Sequence, residues 1–459
     1  LLEANLRADG TSRFRKGNQW KTFPSFSLGW NVAREHFFEP LNNIVNILKF
    51  RASYGLLGNQ NTTNWYQTYQ TMSVGSSNGA WLMNGNKPNT ASAPGLVSAS
   101  LTWETIESYN LGLDWGVFNN RLTGSFDWYI RDTKNMVGNA PELPALLGTG
   151  VPITNNTDLR TSGWELSIGW NDRLNNGFTY GAKFNVSDAR TKITRYPNNP
   201  TKAVSTYIEG RYTNEIWGYT TVGLAKTDEE MQAHLATMPN GGQSALGSDW
   251  KAGDIMYADI NGDGKISGGS GTLNDTGDWT VIGNTTPRYL FGLDLNASWK
   301  GFDLRMFFQG VMKRDFWQGS TYLFGASNSG MWHATGIESV SDYFRNDDTW
   351  SVQEGYQSPN LNSYLPRPLY SNKNLQTQTR YLQSAAYIRL KNLQLGYTFP
   401  TRLTSRYGVQ NLRIYFSGEN LWTGTSLVDQ FDPETISGGS GGNGYPLSRT
   451  LSCGLSVTF

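Results

Sequence analysis

Apolar and polar residues alternate one by one along much of the chain, in blocks that recur from end to end. From 289 to 299 one parity carries Tyr289, Phe291, Leu293, Leu295, Ala297 and Trp299, and the other carries Gly292, Asp294, Asn296 and Ser298. Residues 451–459 set Leu451, Cys453, Leu455, Val457 and Phe459 against Ser452, Gly454, Ser456 and Thr458. The same holds at 121–130 (Leu122, Gly124, Phe126, Trp128, Ile130) and 164–170 (Trp164, Leu166, Ile168, Trp170), and again at 26–32, 48–54, 109–117, 302–308 and 412–416. A period of two is the side-chain period of a strand. One apolar parity held over ~10 residues is what a strand with one face in lipid requires. The pattern predicts a large antiparallel sheet.

The links between these blocks sort by length. Short ones fall at Asn119-Asn120, 171–177 and Lys300-Gly301, with 35–46 and 400–411 somewhat longer; long ones fall at 9–20, 56–103, 134–158, 190–287, 311–384 and 423–447. Short and long alternate, which predicts about twelve strands in up-down pairs with all long links at one end. Outer-membrane barrels keep short turns on the periplasmic side and long loops outside, whereas a propeller or sandwich has no reason to sort its loops. Trp115, Trp170, Trp299 and Phe399 share the apolar parity of their strands and each precedes a short link, with Phe459 in the equivalent place. Outward aromatics at one level make an interfacial girdle.

Composition narrows the chemistry. There are 51 Gly, 17 Trp, 23 Tyr and 21 Phe among 459 residues, and only 16% are charged, which suits many strands and turns. The net charge of +1 gives no footprint for nucleic acid. One cysteine, Cys453, excludes an intrachain disulfide framework, and its apolar parity makes it a small lipid-facing hydrophobe. His36, His234 and His333 lie too far apart in sequence to suggest a metal or catalytic centre. A mean hydropathy of −0.48 and the lack of an apolar run of ~18 residues are both compatible with a barrel, whose strands are half polar. The chain opens at Leu1 inside a strand-like alternation with no signal peptide, and reads as part of a longer protein.

The strand-bearing segments resemble the SusC-like branch of TonB-dependent outer-membrane transporters. They are LRADGTSRFRKGNQWKTFPSFSLGW (6–30), LKFRASYGLLGNQ (48–60), WETIESYNLGLDWGVFNNRLTGSFDWYIRDTKNMV (103–137), GDIMYADINGDGKI (253–266), TVIGNTTPRYLFGLDL (280–295), YIRLKNLQLGYTFP (387–400) and the closing strand ending in Phe459. The resemblance implies an all-β fold, a transmembrane antiparallel β-barrel in which this chain is the C-terminal portion. Its strands would be part of a plugged barrel of roughly 22 strands, with long extracellular loops at 56–103, 134–158, 190–287, 311–384 and 423–447. It further implies a SusD-like surface lipoprotein as lid, a dimer of transporter–lid pairs, and energy from the TonB complex through N-terminal sequence absent here. The aromatic C-terminus resembles the signal read by the barrel-insertion machinery.

Asp259-Ile260-Asn261-Gly262-Asp263-Gly264-Lys265 has the start of a calcium loop: oxygen ligands at alternate positions, glycine at the sixth and a carbonyl at the seventh. The twelfth position is Ser270, where an EF-hand needs a glutamate. The family's closing carboxylate, before its T-V-I-G segment, falls on Asp278, with Asp275 as a rival across a Gly/Ser/Thr insertion at 267–277. Calcium, or magnesium in its place, is expected to stiffen a long outer loop; a solvated Asn-Gly-Asp-Gly turn without an ion is the alternative.

Glycines at 438–444 match G-x-S-x-G and G-x-G-x-x-G, but neither stands between a strand and a helix as those mechanisms need. Glu104 and Glu107, and Asp228, Glu229 and Glu230 in a helix-like stretch at 227–238, read as solvated acids rather than acid–base pairs. No enzyme is expected. Trp65, Tyr66, Trp81, Trp217, Tyr219, Trp317, Trp332, Trp350 and Tyr356 lie in the long links among Asn, Gln and Asp. They suit stacking on sugars or packing on a lid, and equally a core for the loops. The expected function is active import of an oligomeric nutrient, oligosaccharide before oligopeptide. A secreted glycan-binding or glycan-cleaving β-protein and a passive twelve-stranded pore are the rivals; loop sorting opposes the first and the missing signal peptide the second.

Overall fold

The computed structural model describes residues 1–459 apart from Thr63, Ser77, Ala80, 325–340 and 438–443. The glycine motifs at 438–444, all but Gly444, and Trp332 and His333 therefore lie outside the described residues. The main sheet has twelve strands: β1 Leu2–Gly10, β2 Trp20–Asn31, β3 Val45–Asn59, β4 Glu104–Val117, β5 Leu122–Asn139, β6 Ile153–Arg173, β7 Thr179–Arg195, β8 Arg288–Trp299, β9 Phe302–Lys313, β10 Tyr387–Thr398, β11 Asn411–Thr425 and β12 Thr450–Thr458. Their order in the sheet is their order in the chain. The up-and-down meander expected from the links is what forms.

The strands run further than the alternation shows. β5 continues to Asn139 and β6 begins at Ile153, so the link between them shrinks to 140–152. Likewise β7 reaches Arg195, and the following link is 196–287. Where a hairpin stands clear of the lipid both of its faces meet water, and the two-faced pattern that marks a membrane strand disappears. The tight links are built from left-handed backbone: Phe118, Asn119 and Asn120 have φ of 57, 57 and 60°, and Lys300-Gly301 has 48 and 89°. A two-residue link with both φ positive is the turn that matches strand twist.

The chain forms two compact units, Leu1–Leu166 with Ala189–Thr213, and Ser167–Asp188 with Asn214–Phe459. In the first, cross-strand register lines up Leu2, Leu28, Ala52, Leu111 and Trp128 in one row and Trp30, Phe50, Leu113 and Phe126 in another. The opposite face holds ions: Arg51 spans Asp114 and Asp127, with all four bonds between 2.9 and 3.0 Å. The second unit repeats the division. Phe184, Leu293 and Phe308 share a row, as do Ala297, Leu304, Leu395, Phe416 and Cys453. Asp294 meets Arg305 at 2.7 Å on the other face. Phe302, Tyr397 and Phe399 pack at the short-link end with centroids 4.5 and 4.9 Å apart, where the girdle was expected.

This geometry makes a test of the faces. Leu293→Arg sets a charge near mid-strand between two phenylalanines and should cost roughly 2–4 kcal/mol of barrel stability in a bilayer. Asp294→Asn loses only a solvated ion pair and should fold nearly as the parent does. Urea titrations in lipid vesicles measure both; equal losses would overturn the assignment of faces.

Candidate functional site

The long links of the second unit are folded. Glu215–Gly218 pairs with Thr280–Asn284, Thr221–Leu224 with Ile255–Tyr257, and Asp315–Trp317 with Leu382–Ser384. A helix, α1 (Asp228–Ala236), starts on a side-chain cap: the Glu230 N–H donates to Thr227 Oγ1 at 3.2 Å, and Glu230 Oε2 accepts the N–H of Lys226, the residue before the cap, at 2.6 Å. Asp228 accepts the Ala252 N–H at 2.8 Å, so these acids hold the loop together. These pieces close on a buried core that includes Met231, Trp250, Ile255, Tyr257, Leu323, Phe324, Leu365 and Tyr381.

Within that core stands a charge cluster that the sequence reading did not find. Asp254 is fully buried. Its carboxylate accepts from Arg367 twice at 2.8 Å, from Lys373 at 2.9 Å, from Asn374 at 2.9 Å and from the Lys251 N–H at 2.9 Å. Lys373 also donates to the carbonyls of Ser248 and Asp249, and its ammonium lies 4.6 Å from the Trp250 ring centre. Burial lowers the Lys373 pKa, with Asp254 pulling it back. Burial opposes the Arg367 charge too, yet the bidentate bond to Asp254 leaves its pKa raised. Half-buried His234 has its pKa lowered, chiefly by burial. A second clamp joins Arg389 to Asp432 and Glu434 at 2.8 Å each. Burial raises the Asp432 carboxyl pKa, but the Glu434 N–H and Arg389 outweigh it and leave it lowered.

The Asp259–Lys265 turn is closed by its own oxygens. Asp259 accepts the N–H groups of Gly262 and Gly264 at 2.7 and 2.8 Å, Asn261 that of Asp263 at 3.0 Å, and Asp263 that of Lys265 at 3.1 Å. Asp278 is fully buried and accepts the N–H groups of Ile260 and Ser267 at 2.8 and 2.9 Å. Asp275 instead serves the Ser270 N–H at 2.8 Å. Asp278, then, is the carboxylate that faces the turn. Among the described residues, no three His, Cys, Asp or Glu side chains are gathered in a metal-holding group.

The candidate aromatics divide. Tyr219 is buried in the loop core, and Trp317 packs against it with its ring 6.1 Å from Phe324. Trp217 is half-buried in its ribbon. Trp65, Tyr66 and Trp81 are exposed, the first beneath the Arg13 guanidinium at 4.1 Å. Trp350 and Tyr356 are exposed and pair with centroids 5.5 Å apart at 42°. Of the strand acids, Glu104 accepts from Asn59 and the Val137 N–H at 2.7 and 2.8 Å, and Glu107 from Tyr54 and Tyr109.

A meander of two-faced strands, apolar on one side, ion-paired on the other and sorted by link length, is the wall of an outer-membrane β-barrel. Residues 1–311 match the family described as TonB dependent receptor-like, beta-barrel, and the chain belongs to that family. It is 29% identical over 482 aligned positions to the TonB-dependent receptor P3 of Formosa agariphila, covering all of this chain and 44% of that protein. With the TonB-dependent receptor SusC of Bacteroides thetaiotaomicron the figures are 27% over 467 positions, all of this chain and 42% of the relative. The chain thus spans less than half the length of these relatives. A solved structure described as the RagAB peptide importer in its open-open state shares the fold at a TM-score of 0.74 and 22% identity, over all of this chain and 45% of that one. The resemblance to SusC-like transporters is borne out.

The Asp254 cluster makes a prediction. Asp254→Ala leaves the buried Lys373 and the partly buried Arg367 without a counter-charge, a loss of roughly 3–5 kcal/mol that should fall on the loop core alone. Limited proteolysis should open 248–280 and 366–378 while the barrel keeps its heat resistance. Simultaneous loss of the barrel would show that the loop core is not a separate unit of stability.

Proposed function

We propose that this chain works as the C-terminal barrel portion of a TonB-driven importer in a gram-negative outer membrane, passing an oligomeric nutrient unchanged beneath a SusD-like lid. One observation carries the reading: the chain is barrel wall throughout its main sheet, and TonB-dependent receptors, SusC among them, align with all of it. The long links then face outside, where a lid can dock across them, and the protein works as a dimer of transporter–lid pairs. The exposed Trp350–Tyr356 pair and Trp65 support oligosaccharide as cargo, because flat rings offer apolar faces to a sugar. Oligopeptide is the second reading, kept by the fold neighbour described as a peptide importer.

Deleting TonB in the native host should abolish uptake and leave surface binding intact, and mass spectrometry of material released from the purified complex should find an oligosaccharide. Trp350→Ala with Tyr356→Ala should weaken cargo binding roughly tenfold. Uptake at the normal rate without TonB would overturn import; released peptide would overturn the cargo.

We also propose that the turn at 259–265 takes calcium, or magnesium in its place, through Asp259, Asn261, Asp263, the Lys265 carbonyl and Asp278. Support comes from the alternating oxygens, the left-handed Gly262 and Gly264 (φ 73 and 79°), and the second lone pair left on each carboxylate oxygen of Asp259 and Asp263, which accepts one N–H bond apiece. The ion would stiffen the loop and take no part in transport chemistry. Calorimetric titration of the full-length protein should show calcium uptake with Kd of roughly 0.1–1 mM, lost in Asp259→Ala with Asp263→Ala. That variant should expose 253–280 to protease with the barrel intact. No uptake by the parent protein would dispose of the ion.

A further inference from the structure

The outward face of β1 to β5 is not uniformly convex. It holds a cavity of about 620 Å³ lined almost wholly by apolar atoms, within the usual size range of ligand sites (~300–1,000 Å³). The room comes from Ala52, which stands between Leu28 and Leu111 in the cross-strand row; Phe26, Trp128 and Ile130 stand around it. Tyr54 and Tyr109 form its upper edge, rings 5.0 Å apart, and both hydroxyls donate to Glu107 at 2.9 and 2.8 Å.

Above that edge, toward the 60–103 link, lies a row of ion pairs. Glu107 sits opposite Asp132 in the ladder. Glu107 pairs with Lys134, and Asp132 takes a bidentate bond from Arg160 at 2.7 and 2.8 Å. Exposure within each pair is lopsided. The carboxylates are 15% and 9% exposed, whereas Lys134 and Arg160 are 47% and 51% exposed. The acids lie against the sheet and hold two cations outward, directly over an apolar hollow.

We infer that this is a binding site for an amphiphile with a phosphorylated headgroup, the lipid A part of outer-leaflet lipopolysaccharide. Its phosphate lies between Lys134 and Arg160, whose donors suit phosphate oxygens, and its acyl chains occupy the hollow beneath Tyr54 and Tyr109. A second copy of the barrel fits poorly on this face. It would have to bury the half-exposed Lys134 and Arg160, with their ion pairs, against hydrocarbon and away from water. The inference rests on the proposed orientation, in which the long links face outside and this level is the outer leaflet.

The full-length protein, extracted in a detergent that strips bulk lipid, is titrated with purified lipid A or with phosphatidylglycerol and weighed by native mass spectrometry. Lipid A should be retained in preference to phosphatidylglycerol. Lys134→Gln with Arg160→Gln should lower retention roughly tenfold, and Ala52→Trp, which fills the hollow and leaves the cations in place, should lower it as well. Heat-modifiable gel mobility confirms that each variant is a folded barrel. Unchanged retention in both variants, equal retention of phosphatidylglycerol, or a dimer cross-linked through Ala52→Cys would each overturn the site. Protease cleavage of the long links on intact cells separates the two failures: links cut outside but no lipid held sinks only this site, whereas links protected in intact cells and cut after lysis sink the orientation on which it rests.

Discussion

Everything in this chain depends on backbone pairing. Inside hydrocarbon no water can satisfy a free N–H or C=O, so a strand survives there only when both of its edges are bonded to neighbours. An unbroken meander of twelve strands answers that demand along the sheet, and it frees the side chains to specialise by face. Lipid takes the outward parity, so Leu293 or Leu111 needs no partner of its own shape. The inward parity collects ions, and they in turn limit the ladder. Arg51 reaches Asp114 and Asp127 only because its ladder partner is Gly112; a Cβ there would stand 2.6 Å from the guanidinium carbon.

What the sequence discloses follows from how local each signal is. Alternation within a strand and the length of a link are both read over a few residues, so the meander and its sorted ends were visible without coordinates. The upper ends of the strands were not. From Asp132 to Asn139 in β5 polar residues stand on both parities, Met136 and Val137 put one apolar side chain on each, and Asn135 is in the left-handed region, so no period remains to read. The calcium-like turn was legible because its oxygens lie within one short run. Asp254, five residues earlier in the same quoted segment, was not: Arg367 and Asn374 are 113 and 120 positions away. A faint hint was the glycine before it. Gly253 has φ +82°, and a Cβ there would meet Phe344 at 2.4 Å.

The loop aromatics show the same limit from the other side. Tyr219 and Trp350 stand in similar polar, periodless surroundings in the sequence, yet one is a core residue and the other exposed. A link has no face until it folds, so nothing local tells which ring turns inward. Trp250, outside the group singled out, proved to be core, where its indole N–H donates to the Gly247 carbonyl at 2.9 Å. Burial could be settled only by the ribbons and the Asp254 clamp, which bring distant segments together.

That folding has a thermodynamic reason and a functional consequence. Ordering a residue costs about 1–2 kcal/mol of backbone entropy, and the sheet below cannot supply that for links as long as 196–287. Such a link stays ordered only by burying apolar surface of its own, and the second unit does so around Tyr257 and Tyr381. The Glu215–Gly218 ribbon with Thr280–Asn284 closes the base of the longest link, leaving less freedom for the core to remove. Once the loops are rigid, rings left exposed on them are held in place before any partner arrives. If Trp350 and Tyr356 take cargo as proposed, binding there carries little further ordering cost, which is where affinity between modest surfaces is gained. A floppy loop bearing the same two rings would lose that advantage. On that proposal the buried charge of Asp254 bears on capture as well as on stability, although it lies out of reach of solvent.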